Sequence, residues 1–327
     1  MKILVTGGAG YIGGTLTRLL LAEGHSVTVF DNLCHSKRSA VAEGAEFVLG
    51  DLADRPLVEK TLNAGRFDGV MHFAALIEAG ESMKKPEVYF RNNTASTLTL
   101  LESMLATGHD RLVFSSTAAC YGEPETTPIL EDAKLEPTNA YGESKLLVEH
   151  MLRWMNLIYG FKYASLRYFN VAGAIEGYGE AHEPESHLIP LILDVALGRR
   201  KDIKIFGRDY PTKDGTCIRD YIHVRDLAEA HLLALAALKN ESRLIYNIGN
   251  GQGFTVLEVI ESVRRVTGRP IAVEERERRA GDPAVLVASS EKIKAELGWK
   301  PQFAELDTII ASAWKWHQQR YSVKTDS

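Results

Sequence analysis

Two groups of residues in this 327-residue chain have types and spacings that could do chemistry. The first is Tyr141-Gly142-Glu143-Ser144-Lys145, at the head of a helix-like stretch. Tyr and Lys at positions i and i+4 share one helix face. A free phenol, with a pKa of about 10, is a poor base at neutral pH, but a neighbouring ammonium favours the phenolate. Ser115-Ser116-Thr117 lies upstream, closing a short apolar run. A hydroxyl at such a strand end can hydrogen-bond a reacting alcohol oxygen and relay its proton. The same residues could simply cap a turn, as a Tyr/Lys pair could simply decorate a helix surface.

The second group is Thr6-Gly7-Gly8-Ala9-Gly10-Tyr11-Ile12-Gly13, between a strand-like run and a helix-like one. Gly7 permits a tight turn, Gly10 lets the backbone approach a pyrophosphate, and Gly13 lets the helix pack close to the strand. The phosphates then meet the positive end of the helix. Asp31 closes the next strand-like run, about 20 residues on, where an acid binds a ribose 2′-hydroxyl and repels a 2′-phosphate. The pattern points to NAD rather than its phosphorylated form. Asp51, after a third strand-like run, is placed either to contact adenine or to form a turn.

The elements that must position these groups alternate. Residues 3–6, 27–30, 46–49, 70–73, 111–115 and 164–168 read as strands, each short, apolar and bounded by Gly, Asp or Ser. Residues 12–23, 56–63, 87–107 and 141–159 read as helices. Strands alternating with helices imply an α/β fold with a parallel sheet. After about residue 170 the pattern loosens: 173–186 reads as a long loop, followed by a helix (188–197), a strand (203–206), a helix (224–238) and a strand (245–248). The expectation is a Rossmann-type doubly wound parallel sheet over residues 1–170. A smaller C-terminal α/β substrate lobe over 171–327 would return segments to the main sheet.

Composition narrows the partners. With 38 Lys+Arg against 43 Asp+Glu, the formal net charge is −5, which argues against nucleic acid and against a basic membrane-docking surface. No apolar run approaches the roughly 20 residues of a membrane span, and the N-terminus reads as a strand rather than a signal peptide. Three cysteines, Cys34, Cys120 and Cys217, without a Cys-x-x-Cys fit a reducing cytoplasm better than a disulfide framework. His182-Glu183-Pro184-Glu185-Ser186-His187 has the wrong spacing for zinc ligands on one helix face, so it reads as a solvated acidic loop and no metal is expected.

Taken together, the glycine turn, the Ser/Thr group and Tyr-x-x-x-Lys resemble the extended short-chain dehydrogenase/reductase superfamily and, within it, the UDP-glucose 4-epimerases. The resemblance runs over nearly the whole chain, through Asp31-Asn32-Leu33, His72-Phe73-Ala74-Ala75, Arg167-Tyr168-Phe169-Asn170, Ile205-Phe206-Gly207, Asp214-Gly215-Thr216, Arg219-Asp220-Tyr221-Ile222-His223-Val224 and Arg279-Ala280-Gly281-Asp282. It implies that NAD is held by Gly7, Gly10, Tyr11, Ile12, Gly13, Asp31, Asn32, Asp51, Leu52, Phe73, Ala74, Ala75, Asn92, Tyr141, Lys145 and Phe169. It implies that Thr117, Tyr141 and Lys145 are catalytic, and that a UDP-sugar meets Thr117, Asn170, Leu188, Lys204, Ile205, Phe206, Arg219, Arg279 and Asp282. The residue types suit these roles. Arg grips paired phosphate oxygens, Asp282 can accept from a ribose hydroxyl, and Phe206 offers uracil a flat apolar neighbour.

Three positions depart from the pattern. Ile77 stands where some members have Lys, His187 where some have Asn, and Leu286 where some have a bulky Tyr that limits room for a 2-acetamido group. The implied reaction is the interconversion of UDP-glucose and UDP-galactose in galactose metabolism, by transient oxidation at sugar carbon 4. Tyr141 takes the 4-hydroxyl proton with Thr117 positioning or relaying it, and Lys145, which also binds the nicotinamide ribose, lowers the pKa of Tyr141 together with the positive nicotinamide ring. Hydrogen leaves carbon 4 as hydride, then returns to the opposite face after the sugar swings about its phosphate linkage.

Epimerisation of another UDP-sugar (N-acetylhexosamine, pentose or uronic acid) is the near rival. Dehydratases and decarboxylases of this type carry an acid directly after the Ser/Thr motif, where this chain has Ala118-Ala119-Cys120. A silent NAD-binding scaffold has no need of Thr117, Tyr141 and Lys145 together. The resemblance also implies a homodimer packed through the helices at 87–107 and 141–159.

Overall fold

The structure is a computed structural model describing residues 1–278 and 282–322. Strand β1 (Lys2–Thr6) leads into helix α1 (Tyr11–Ala22), then β2 (Ser26–Asp31) and β3 (Glu46–Leu49). Helix α2 (Arg55–Gly65), β4 (Gly69–His72), the short helices α3 (Ala79–Ser82) and α4 (Pro86–Tyr89), and α5 (Ser96–Ala106) follow. Next come β5 (Arg111–Thr117), α6 (Ala140–Tyr159) and β6 (Lys162–Tyr168). The second half holds β7 (Asn170–Ala172), β8 (Ala174–Ile175), β9 (Tyr178–Gly179), α7 (Leu188–Ala196), β10 (Ile203–Phe206), β11 (Ile218–His223), α8 (Val224–Ala237) and β12 (Arg243–Ile248). It ends with β13 (Gly253–Thr255), α9 (Val256–Thr267), β14 (Val273–Arg276), β15 (Val285–Leu286), α10 (Glu291–Leu297) and α11 (Leu306–Ser322).

Seven strands form one sheet in the order β12-β6-β5-β4-β1-β2-β3, every neighbouring pair parallel. Successive side chains of each strand enter opposite layers. Ile3 and Val5 of β1 join the apolar layer shared with Leu16 and Leu20 of α1 and Leu227 and Leu235 of α8. Leu4 joins the other layer, with Val58 of α2, Leu100 and Met104 of α5, and Val148 and Leu152 of α6. Burial on both faces explains why these strands read as continuous apolar runs. The chain order reverses between β1 and β4, so a crevice opens at their carboxyl ends.

Outside this sheet, β11 pairs with β7 and β15 in parallel and with β13 antiparallel, while β10 pairs with β14. A separate apolar cluster, including Ile192, Ile205, Tyr221, Ile260 and Ile310, packs α7, α9 and α11 against these strands.

Two elements differ from the sequence reading. The helix expected over 87–107 is α4, a π-helical turn (Phe90–Ala95) and α5 in succession. The wide turn is locked by Asn93, whose side chain accepts from Leu76 N (2.8 Å) and donates to Leu76 O (2.9 Å) and Ser144 Oγ (3.0 Å). A period of 3.6 residues cannot register such an insertion. The loop expected over 173–186 contains the hairpin β8–β9, whose strands of two residues each are too short for alternation to reveal.

Helix α6 carries Tyr141 and Lys145 and is the most heavily fixed element. Asn139 caps it by accepting from Gly142 N, Gly160 ends it in the left-handed region, and Tyr141 N donates to Ser82 Oγ at 3.0 Å. Two turns on, Glu149 is buried against Arg167 of β6 in a two-point ion pair (Nε–Oε1 3.0 Å, Nη2–Oε2 2.6 Å), and Ser116 Oγ donates to the same carboxylate at 2.5 Å. Arg167 also donates to Tyr121 Oη and Glu131 O. Arg167→Met strands a buried carboxylate, so the unfolding free energy in urea should fall by about 3–5 kcal/mol. The Glu149→Leu/Arg167→Met double variant, leaving no unpaired charge, should recover most of that loss.

Candidate active site

A cleft of about 1210 Å³ runs from the glycine turn across the carboxyl ends of the sheet and into the second half of the chain. At its first end, Gly7 has φ +73, and a Cβ there would stand 2.5 Å from Ala74 N. A Cβ on Gly13 would stand 2.5 Å from Gly7 O. Only glycine allows both the turn and the close packing of α1. Gly10 caps α1 without any side-chain hydrogen bond, so the first amides of the helix face the cleft uncapped. The Asp31 carboxylate is held by Ala9 N (3.0 Å) and Leu33 N (2.8 Å), and Asn32 Nδ2 donates to Asp51 Oδ2 at 2.9 Å. Bare helix amides beside a fixed carboxylate form a cradle that fits a diphosphate and a ribose, as a dinucleotide requires.

Mid-cleft, β5 and α6 bring together the chemistry-bearing side chains. Tyr141 stands beside Thr117, which ends β5 and accepts from Ala119 N at 3.1 Å. Lys145 is buried, lies over the Phe114 ring at 5.0 Å, and donates from Nζ to Ser115 O at 2.9 Å. Burial and Lys145 keep His72 neutral, its pKa pulled down to about 3, between the Thr6 and Thr97 hydroxyls. Burial alone pulls Lys145 down to about 7. Burial pushes the Tyr141 phenol up to about 12, with Thr117 acting in the opposite sense and Cys120 and Glu78 adding to the rise.

The expected lowering by Lys145 and a positive nicotinamide ring concerns the site with its cofactor bound. The ammonium is turned to the Ser115 carbonyl, and desolvation of the phenol is the largest influence. A third group here was missed in the sequence. Tyr168, at the end of β6, lines the cleft, hydrogen-bonds Ser115 Oγ, and has its phenol pKa raised by burial and by Tyr141.

At the far end, Asn170, Leu188, Lys204, Phe206, Arg219 and Asp282 all line the cleft, and Arg219 is ion-paired with Asp282. Ile205 departs from expectation. Along β10, Ile203 and Ile205 are buried while Lys204 and Phe206 are more open, and Ile205 sits in the apolar cluster, not on the cleft wall. Arg279 lies outside the described residues. The expected dinucleotide residues from Gly7 to Phe169, including Tyr11, Ile12, Leu52, Phe73, Ala74, Ala75 and Asn92, line the same cleft. Leu286 pairs with Arg219 in the β11–β15 ladder and packs on the cluster of Tyr121 and Phe169.

The stretch 182–187 is the solvated acidic loop expected of it, with Glu183, Pro184, Ser186 and His187 exposed. It also borders the cleft: Glu180, His182, Ser186 and His187 line it, and His182 and Ser186 contact Glu78. No group of three or more metal-ligating side chains occurs among the described residues.

The sequence profile of the NAD dependent epimerase/dehydratase family matches residues 3–249. The chain is 53% identical over 318 residues to the UDP-glucose 4-epimerase of Streptomyces lividans, covering 97% of this chain and 96% of that protein. Its structure resembles that of UDP-glucose 4-epimerase from Brucella ovis in complex with NAD, with a TM-score of 0.93 at 43% identity, over 96% of this chain and 97% of that one. It resembles equally the Bifidobacterium longum UDP-glucose 4-epimerase in complex with NAD+ and UDP (TM-score 0.93, 37% identity, 98% and 99% coverage). The chain therefore belongs to the NAD dependent epimerase/dehydratase family.

Proposed function

We propose that this chain is an NAD-dependent UDP-glucose 4-epimerase, interconverting UDP-glucose and UDP-galactose in galactose metabolism. The observation that carries the reading is one continuous cleft. It holds the glycine cradle at one end, the Tyr141–Thr117 pair in the middle and the Arg219–Asp282 pair at the other. When bound, NAD supplies a positive ring and a reversible acceptor for the hydrogen on sugar carbon 4.

The chain's own residues do the rest. Gly7, Gly10 and the amides of Tyr11 to Gly13 receive the pyrophosphate, and Asp31 and Asn32 the adenosine ribose. Arg219, with Arg279 by its place in the sequence, grips the UDP diphosphate, Asp282 accepts from the uridine ribose, and Phe206 lies against uracil. Tyr141 takes the proton of the sugar 4-hydroxyl, with Thr117 positioning or relaying it, and later gives it back. Lys145 holds the neighbouring cofactor ribose. Because one phenol serves both directions, the hexose must present either face to it, so binding energy belongs on UDP and the sugar is held loosely. Leu286 packs on the protein rather than lining the cleft, which gives no support to selection of a 2-acetamido sugar over glucose.

The finer organisation belongs to the same proposal. Residues 1–170 hold NAD and 171–327 the UDP-sugar. The protein works as a homodimer in the cytoplasm. Support for the dimer comes from the exposed apolar side chains on α5 and α6, Leu98, Trp154, Leu157 and Ile158 among them. Three free cysteines, Cys34, Cys120 and Cys217, fit a reducing compartment, and no helix among the described residues is long and apolar enough to cross a membrane.

Proton NMR of the purified protein with UDP-glucose, without added NAD, should show UDP-galactose appearing. UDP-N-acetylglucosamine, UDP-xylose and UDP-glucuronate, incubated separately, should turn over more slowly. Tyr141→Phe should lower kcat by about 10²–10⁴-fold while NAD stays bound, since it removes only the proton transfer. No turnover with any of these sugars would exclude an epimerase. Sedimentation at micromolar concentration should give twice the chain mass, and Leu157→Glu/Ile158→Glu should shift it to that of a single chain.

A further inference from the structure

Residues 180–187 form a strap with its own internal bracing. Glu180 Oε1 accepts from Ala181 N and His182 N, both at 3.1 Å. Glu185 Oε1 accepts from Ser186 N (2.9 Å), His187 N (2.8 Å) and the His187 ring (2.8 Å). On the second-half side the strap is tied to α11. Trp316 Nε1 donates to Glu180 O at 2.8 Å, and Arg320 donates to Ala181 O at 3.2 Å and to Glu183 Oε1 at 2.7 Å.

Its opposite edge reaches the cofactor half of the cleft. There Glu78, three residues after the Phe73–Ala75 wall, receives His182 Nε2 at 3.2 Å and Ser186 Oγ at 3.0 and 2.8 Å. His182 also stacks on His35, just beyond Asp31, at 5.7 Å. Glu78, His182 and Ser186 all line the cleft, so these contacts bridge its two walls. None of the three is used in the chemistry proposed above.

We propose that Glu78 is a cofactor-retention residue: by clasping His182 and Ser186 it closes the strap over NAD bound in the cleft and slows its escape. The inference rests on the proposed NAD-binding half of the site. Glu78 touches no reacting atom and acts by positioning the strap. Two donors, the His182 ring and the Ser186 hydroxyl, converge on one half-buried carboxylate, whose pKa His182 holds below the usual range, so the clasp is charge-assisted at neutral pH. Removing the carboxylate releases both strap contacts at once. Removing Ser186 first leaves less for the loss of Glu78 to undo, so the two effects cannot multiply.

The test is exchange of copurified NAD for isotope-labelled NAD, read by mass spectrometry of the protein-bound fraction. Glu78→Ala should exchange about tenfold faster than wild type, equivalent to the loss of one good charge-assisted contact. Glu78→Gln keeps the shape and one acceptor and should fall between the two. Glu78→Ala/Ser186→Ala should exchange no faster than Glu78→Ala. Exchange in Glu78→Ala or Glu78→Gln equal to wild type, or multiplying effects in the double variant, would overturn the clasp. Exchange is read without turnover, so this failure is distinct from loss of epimerisation in the wild type, which would count against the proposed function.

Discussion

Removal of water from Tyr141 and Lys145 is the constraint on which the site depends. The two lie on successive turns of α6, and burial opposes the charged form of each. The phenol moves up to about 12 and the ammonium down to about 7. The rise takes the phenol out of the range of a proton carrier at neutral pH, whereas the fall brings the ammonium into it. Solvating the phenolate again would need water in the cleft, where it would compete with the sugar for Thr117 and Tyr141. The alternative is a fixed charge or dipole supplied with the ligands, which leaves the phenol dormant alone and responsive when loaded.

Holding that pair requires rigidity in α6, and the structure concentrates its polar resources there. The Asn139 cap, the Ser82 contact, the Asn93–Ser144 link and the Glu149–Arg167 ion pair fix the helix at four points along one side. The last pair also ties α6 to β5 through Ser116, between the two residues that meet Lys145 and Tyr141. The wide π turn before α5 serves the same arrangement, because it lets Asn93 turn inward to Leu76 and Ser144 while Asn92 lines the cleft. At the far end of the cleft, Arg219 of β11 is ion-paired with Asp282, in the segment before β15.

How much of this was legible in the sequence follows from what each feature depends on. The glycine turn depends on backbone conformation, which only glycine permits, so Gly7, Gly10 and Gly13 announce it. The sheet depends on apolar period and strand length, and β1 to β6 lie within a residue or two of their expected positions. The Tyr141–Lys145 pair depends on helix spacing alone. What remained hidden depends on contacts between residues far apart in the chain. Tyr168 reaches Ser115 across a strand pair, and Glu78 meets Ser186 across the cleft. No local pattern marks such partners. The place of the Lys145 ammonium was hidden for the same reason: spacing puts Lys145 on the face of Tyr141, but only the fold turns its ammonium to the Ser115 carbonyl. Ile203 and Ile205 share a face of β10 and one apolar cluster, yet only Ile203 borders the cleft, a difference that alternation does not announce.

The central claim is that the phenol of Tyr141 ionises near neutrality only in the loaded protein. An ultraviolet tyrosinate titration of NAD-free and NAD-loaded protein, each with the Tyr141→Phe spectrum subtracted, measures it directly. The account predicts that Tyr141 in NAD-free protein stays protonated until about pH 12, and that loading moves its titration down by several units. A phenol that titrates at the same pH in both forms, or that is already ionised at neutral pH without NAD, would contradict it.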